Sequence, residues 1–234
     1  MSGSDAVAHW RTTLHRAEQL IRTHETIAAR ASLDALILFV NETWGTSDPH
    51  LIKPLRLIAS SHFAEREPLD PRNDAQIACL RRALLIARSH VGDEHLEVAA
   101  LTGEIGSALV IAGSFDEACA LMTESLAIAA RIGQSGSFTR YLDLIGHARM
   151  MQGRPRDALP FFERAVSAHD GDDSSPRTLA GKLYSLGICL RELERWKDAL
   201  VVLERALLLA RAHRVDPFFI TSVKKEIAAI PADV

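Results

Sequence analysis

Apolar residues recur along the chain at helical spacing, in two successive blocks that repeat every 40 or 41 residues. In one copy the first block carries Leu183, Leu186, Ile188 and Leu190, and the second carries Ala199, Val202, Leu203, Ala206, Leu207 and Leu209. Aligning on a glycine brings Thr102-x-x-Ile105-Gly106, Leu142-x-x-Ile145-Gly146 and Leu183-x-x-Leu186-Gly187 into register. Seven residues after that glycine stand Gly113, Gly153 and Glu194; nine after stand Phe115, Pro155 and Trp196. Twelve after stand Ala118, Ala158 and Ala199; sixteen after, Met122, Phe162 and Leu203; nineteen after, Ser125, Ala165 and Ala206. Coincidence at this many offsets marks an internal repeat.

Between the two blocks of each copy lies a break of two or three residues, at 112–114, 152–154 and 193–195. A break that short predicts two antiparallel helices side by side. The small residues Gly106, Gly146, Gly187 and Ala118, Ala158, Ala199 then mark where the paired helices approach closely. The repeats predicted on this pattern are 97–133, 138–169 and 178–213. An earlier one spans 51–89, with Leu55, Ile58, Ala59 and His62 on one face and Ile77, Leu80, Ala83, Leu84 and Ala87 on the other helix. A proline-containing loop over Glu67–Asn73 separates its halves. Residues 1–50 are expected to hold an N-terminal helix pair, and 217–230 a capping helix that starts with Asp216 as N-cap and Pro217 at the first helical position. The expected fold class is all-α throughout.

Composition adds exclusions. Of the 234 residues 47% are hydrophobic and 24% charged, so wholesale disorder is excluded. The net charge is −3 with both signs interspersed, which implies no basic surface for nucleic acid. The longest apolar run, Ala35 to Val40, is far short of a membrane span, and Met1 to His9 has no signal-peptide pattern. Cys79, Cys119 and Cys189 lack metal spacing and are expected to be buried reduced thiols in a cytoplasmic protein. The alanine- and arginine-rich style suggests a bacterial source. No phosphate loop and no nucleophile elbow occurs in the sequence. His90 and His95 flank Asp93 and Glu94, but His95 is expected to cap the next helix and Gly133 to end one. No catalytic, cofactor or metal site is therefore expected.

The residues at these offsets resemble the tetratricopeptide repeat family: Gly187, Trp196, Ala199, Leu203 and Ala206 stand where that family places its small and bulky signature residues. The period is longer than the family's standard 34 and is similar to the variant of kinesin light chains and bacterial regulators, which Pro160 and the Gly92-x-x-His95 linker also resemble. The resemblance implies a right-handed superhelical solenoid of antiparallel helix pairs whose first helices line a concave wall. The wall positions it implies are Lys53, Arg56, Ser60 and Phe63; Ala100, Gly103, Ser107 and Val110; Arg140, Asp143, His147 and Met150; and Gly181, Tyr184, Ile188 and Arg191. Of these, Lys53, Arg56, Ser107, Arg140, Asp143, His147, Met150, Tyr184 and Arg191 are the candidate partner-binding residues.

Gly103, Ser107 and Leu144 replace the lysine and asparagine of the chaperone-binding subclass, so that subclass is not expected. The arginines around a small, apolar middle suit a protein or peptide partner with an amphipathic or acidic segment. Three readings follow: an adaptor or scaffold, a regulatory peptide-sensing module, or a self-associating structural subunit.

Overall fold

The structure, a computed structural model, describes residues 2–61, 72–170 and 175–231. The expectations placed on His62, Phe63 and the loop at 67–71 lie outside these residues. Among the described residues eleven α-helices follow one another: α1 (Gly3–Arg22), α2 (Thr26–Thr43), α3 (Ile52–Ser61), α4 (Arg72–Val91), α5 (Leu96–Ile111), α6 (Phe115–Arg131), α7 (Arg140–Met151), α8 (Pro155–Asp170), α9 (Pro176–Glu192), α10 (Trp196–Ala212) and α11 (Pro217–Ala228). Short 3-10 turns at Pro49–Leu51 and Ser135–Phe138 lead into α3 and α7. No strand occurs among the described residues. The fold is an all-α solenoid of antiparallel pairs.

Local chemistry fixes where the helices begin. Ser2 and Asp5 form a reciprocal capping box on α1, with both bonds at 3.2 Å. The His95 ring accepts from the Glu97 amide at 3.1 Å, so this histidine is a cap, as the sequence suggested. Asp216 accepts from the Phe218 amide at 2.9 Å, with Pro217 at the first turn of α11.

The ends share one device. Every described turn between helices holds one residue with positive φ: His24, Gly45, Gly92, Gly113, Gly133, Gly153, Glu194 and Arg214. In most of them the next amide bonds back five residues, as from Ser114 to Leu109 O at 2.9 Å, Gln134 to Ala129 O at 2.8 Å and Arg195 to Leu190 O at 2.9 Å. This Schellman-type closure satisfies carbonyls that the helix end leaves open. Glu194 occupies the position of Gly113 and Gly153 with a φ of 57°, in a region where a side chain costs roughly 1–2 kcal/mol. Glu194→Gly is therefore expected to stabilise the fold by up to about 1 kcal/mol after the extra chain entropy of glycine, raising Tm by about 2 °C in a thermal melt.

Close packing follows the repeat. A Cβ placed on Gly106 would lie 2.6 Å from Met122 Cγ, one on Gly146 2.6 Å from the Phe162 ring, and one on Gly187 2.5 Å from Leu203. Each is the residue sixteen positions on, so the glycine of the first helix is the seat for the bulky residue of the second. Ala118, Ala158 and Ala199 are fully buried beside them. The core runs on as a stack, in one large cluster from Val40 to Ala148 and another from Ala158 to Val223.

Cys119 and Cys189 are buried and Cys79 is half-buried; all three are free thiols. Burial pushes the Cys189 thiol up to about 11, and its S–H donates to the Pro155 carbonyl at 3.3 Å. A pKa raised on folding stabilises the native state below the unfolded thiol's pKa and is lost as pH rises through the folded value. Between about pH 9 and 11 stability should thus fall by about 2 kcal/mol more in the native sequence than in Cys189→Ala, measurable by urea titration across that range.

Candidate partner-binding groove

First helices of successive pairs approach one another: α1 meets α3, α5 meets α7, and α7 meets α9. The candidate positions therefore divide into two sets. One set forms the joints. Arg56 reaches across to α5, pairing with Glu97 at 2.9 Å and with Glu104 through two guanidinium nitrogens. Burial would lower the pKa of Arg56, but hydrogen bonds and charge from Glu104, then Glu97, hold it above its ordinary value. At the same register on α5 stands Gly103, and the Tyr141 ring of α7 lies on it so tightly that a Cβ there would be 2.2 Å from the ring. On α7 the register holds Asp143, whose charge pulls up the pKa of the buried Lys182 against a larger lowering by desolvation. Lys182 donates to Ala165 O at 3.3 Å, and Asp143 Oδ1 is buried with no hydrogen-bond partner among the described residues. On α9 it holds Tyr184, packed edge-on against Phe219 of α11 at 5.5 Å, with its pKa raised by burial and then by Glu226.

Arg191 is tied down in the same way, to Glu226 at 3.0 Å and to Glu192 at 2.6 Å. Tyr184 and Arg191, both read from the sequence as wall positions, thus lie where α11 packs on α9. Met150 packs against the C-terminal core cluster.

The other set faces outward. Lys53, Ser60, Arg140 and His147 are exposed, and Ser107 is half-buried with its hydroxyl on Gly103 O at 3.0 Å. Lys53 pairs with Glu18 of α1 at 2.6 Å. His147 lies over Phe162 at 5.2 Å, with Nε2 3.1 Å from Ser185 Oγ and 3.6 Å from Asp143 Oδ2. Serine and aspartate both meet the same ring nitrogen, an arrangement unlike a relay that needs one partner on each nitrogen. Arg140 covers the Tyr141 ring at 4.8 Å and donates to its hydroxyl at 2.8 Å.

Lys53, Arg56, Ser107 and Arg140 line one cavity of about 880 Å³. Its apolar lining comes from Trp10, Ile52, Leu57, Leu80, Val91 and Leu144, and its acidic lining from Glu97 and Glu104. Asp143, His147, Met150, Tyr184 and Arg191 are not part of it. The sequence reading missed one residue of the α5–α7 joint and two of the cavity lining. Tyr141, fully buried, was hidden because its partner Gly103 is 38 residues away in the chain. Trp10 and His50 belong to an aromatic group in which His50 meets Trp10 at 4.9 Å and stacks on Trp44 at 4.4 Å. The link between residues 44–50 and α1 has no local signal.

Among the described residues no group of three or more His, Cys, Asp or Glu could hold a metal ion. No helix among them is long and apolar enough to cross a membrane.

No family model and no curated protein matches the sequence. Solved structures do match in fold. The "kinesin light chain nearly identical TPR-like repeats" of Podosopora anserina superpose with a TM-score of 0.72 at 17% identity, over 88% of this chain and 97% of that one. Apo RapI gives 0.77 at 12% identity, over 94% and 84%. The Rap conjugation gene regulator of plasmid pLS20, in complex with the Phr* peptide, gives 0.62 at 16% identity, over 94% of this chain and 58% of that one. The chain has a tetratricopeptide-like fold. Identities this low establish the fold alone.

Proposed function

We propose that the chain is a non-enzymatic adaptor or scaffold, acting in the cytoplasm, that holds a segment of a protein or peptide partner against its first helices. The observation that carries this reading is the cavity of about 880 Å³, which spans α1, α3, α4, α5 and α7 and combines apolar walls with a few placed charges. That mixture is what a groove needs in order to bury side chains and fix their orientation. The fold likeness supports it at the level of architecture. Native mass spectrometry of the protein purified from its own cells tests it: a co-purifying larger partner supports a scaffold, and a lone multimer removes the reading. In a pull-down, Arg140→Ala is expected to weaken capture by more than about 1 kcal/mol, whereas Arg164→Ala and Glu204→Ala on the second helices change it little. The reverse ranking would move the interface to the convex side.

The second reading is a regulatory module that senses a short peptide. The likeness to a regulator solved with the Phr* peptide favours it. A bound peptide of a few residues in the same mass spectrum would select it over the scaffold.

A further inference from the structure

Two of the cations on the first helices carry their own counter-charges. Lys53 is answered by Glu18, and Arg191 by Glu226. At the joint between α5 and α7, Arg140 meets a tyrosine hydroxyl and ring, and no carboxylate among the described residues. One joint earlier the imbalance is reversed: the single guanidinium of Arg56 faces both Glu97 and Glu104. Side-chain exposures of 34% for Arg56, 34% for Glu97 and 25% for Glu104 place that surplus carboxylate in a half-shielded position, where water answers it only in part. Both centres line the same cavity, with Leu57 and Leu144 beside them.

The geometry points to a ligand segment of mixed charge: a carboxylate side chain that seats on Arg140, and a basic side chain that takes the surplus carboxylate at Glu97 and Glu104, with an apolar residue against Leu57 and Leu144. This inference rests on the groove reading and names the partner's chemistry. An all-acidic segment would neutralise Arg140 but place its remaining charge beside two glutamates. An all-basic one would face Arg140 and Arg56. A segment carrying both signs leaves neither centre unanswered, and it fixes the direction in which the segment lies.

Selection from a random twelve-residue peptide library on the purified protein tests this. Enriched sequences are then synthesised with acetylated and amidated ends and titrated by fluorescence anisotropy. The expected result is enrichment of peptides with an acidic and a basic residue a few positions apart. Arg140→Ala and Glu104→Gln should each weaken their binding about tenfold, in protein that a thermal melt shows to be folded. Arg140→Glu should weaken it further and regain affinity when the peptide's acid is changed to lysine. Enrichment of purely acidic or purely basic peptides, or binding that tolerates both Arg140→Ala and Glu104→Gln, overturns the mixed-charge inference and leaves the groove standing. Absence of any enriched peptide, or binding lost on Glu204→Gln of the convex face instead, overturns the groove reading and the inference with it.

Discussion

Gly146→Leu is expected to lower the stability of the solenoid by about 3 kcal/mol in urea denaturation. A Cβ at Gly146 already falls 2.6 Å from the Phe162 ring, and that ring is only 1% exposed, so it has nowhere to retreat. Phe162→Ala alone should cost about 3–5 kcal/mol, through lost burial and the cavity it leaves. Combined, the two changes should cost clearly less than their sum, because the new leucine enters the space the ring vacates. Strict additivity would show that the two residues do not meet, and the pairing of each first-helix glycine with the residue sixteen on would be wrong.

The second large effect belongs to a joint between pairs. Tyr141 is fully buried, packs its ring tightly against Gly103 and approaches the Ala100 carbonyl at 3.5 Å through its hydroxyl. Tyr141→Ala should therefore cost about 3–4 kcal/mol, while Tyr141→Phe, which keeps the ring, should cost about 1 kcal/mol. Because each repeat leans only on its neighbours, the loss should also loosen cooperativity between α5 and α7. Hydrogen exchange should show α7 losing protection ahead of α5. A uniform change along the chain would instead mean that the joint is not the weak seam.

The pairing of helices was legible in the sequence because its signals are local and recur. Glycine 106, 146 and 187, the bulky residue sixteen on and the glycine or Glu194 seven on each answer to one geometric demand inside one unit. The joints between units were not legible. Arg56, Gly103, Asp143 and Tyr184 hold equivalent positions and were read together as groove residues, yet each makes a joint by different chemistry. One is an ion pair, one a glycine seat, one a carboxylate beside a buried lysine, and one an aromatic edge. The position is fixed by the fold, while its occupant depends on a neighbour about 40 residues away, so periodicity alone cannot separate a joint residue from an exposed one. Lys53, Arg140 and His147, one turn to either side, are exposed.

The left-handed residue at each described turn also makes chain length an editable quantity. Gly113 and Gly153 sit 40 residues apart with φ values of 79° and 69°, so the backbone leaves both turns in the same direction. A chain lacking residues 114–153 would join α5 directly to α8 across an unchanged turn, and Gly106 would receive Phe162 at the same sixteen-residue separation. Duplication of the same stretch works by the same rule. Ancestral lengthening or shortening by whole units would then change the number of stacked first helices one at a time, without requiring any new way of turning the chain.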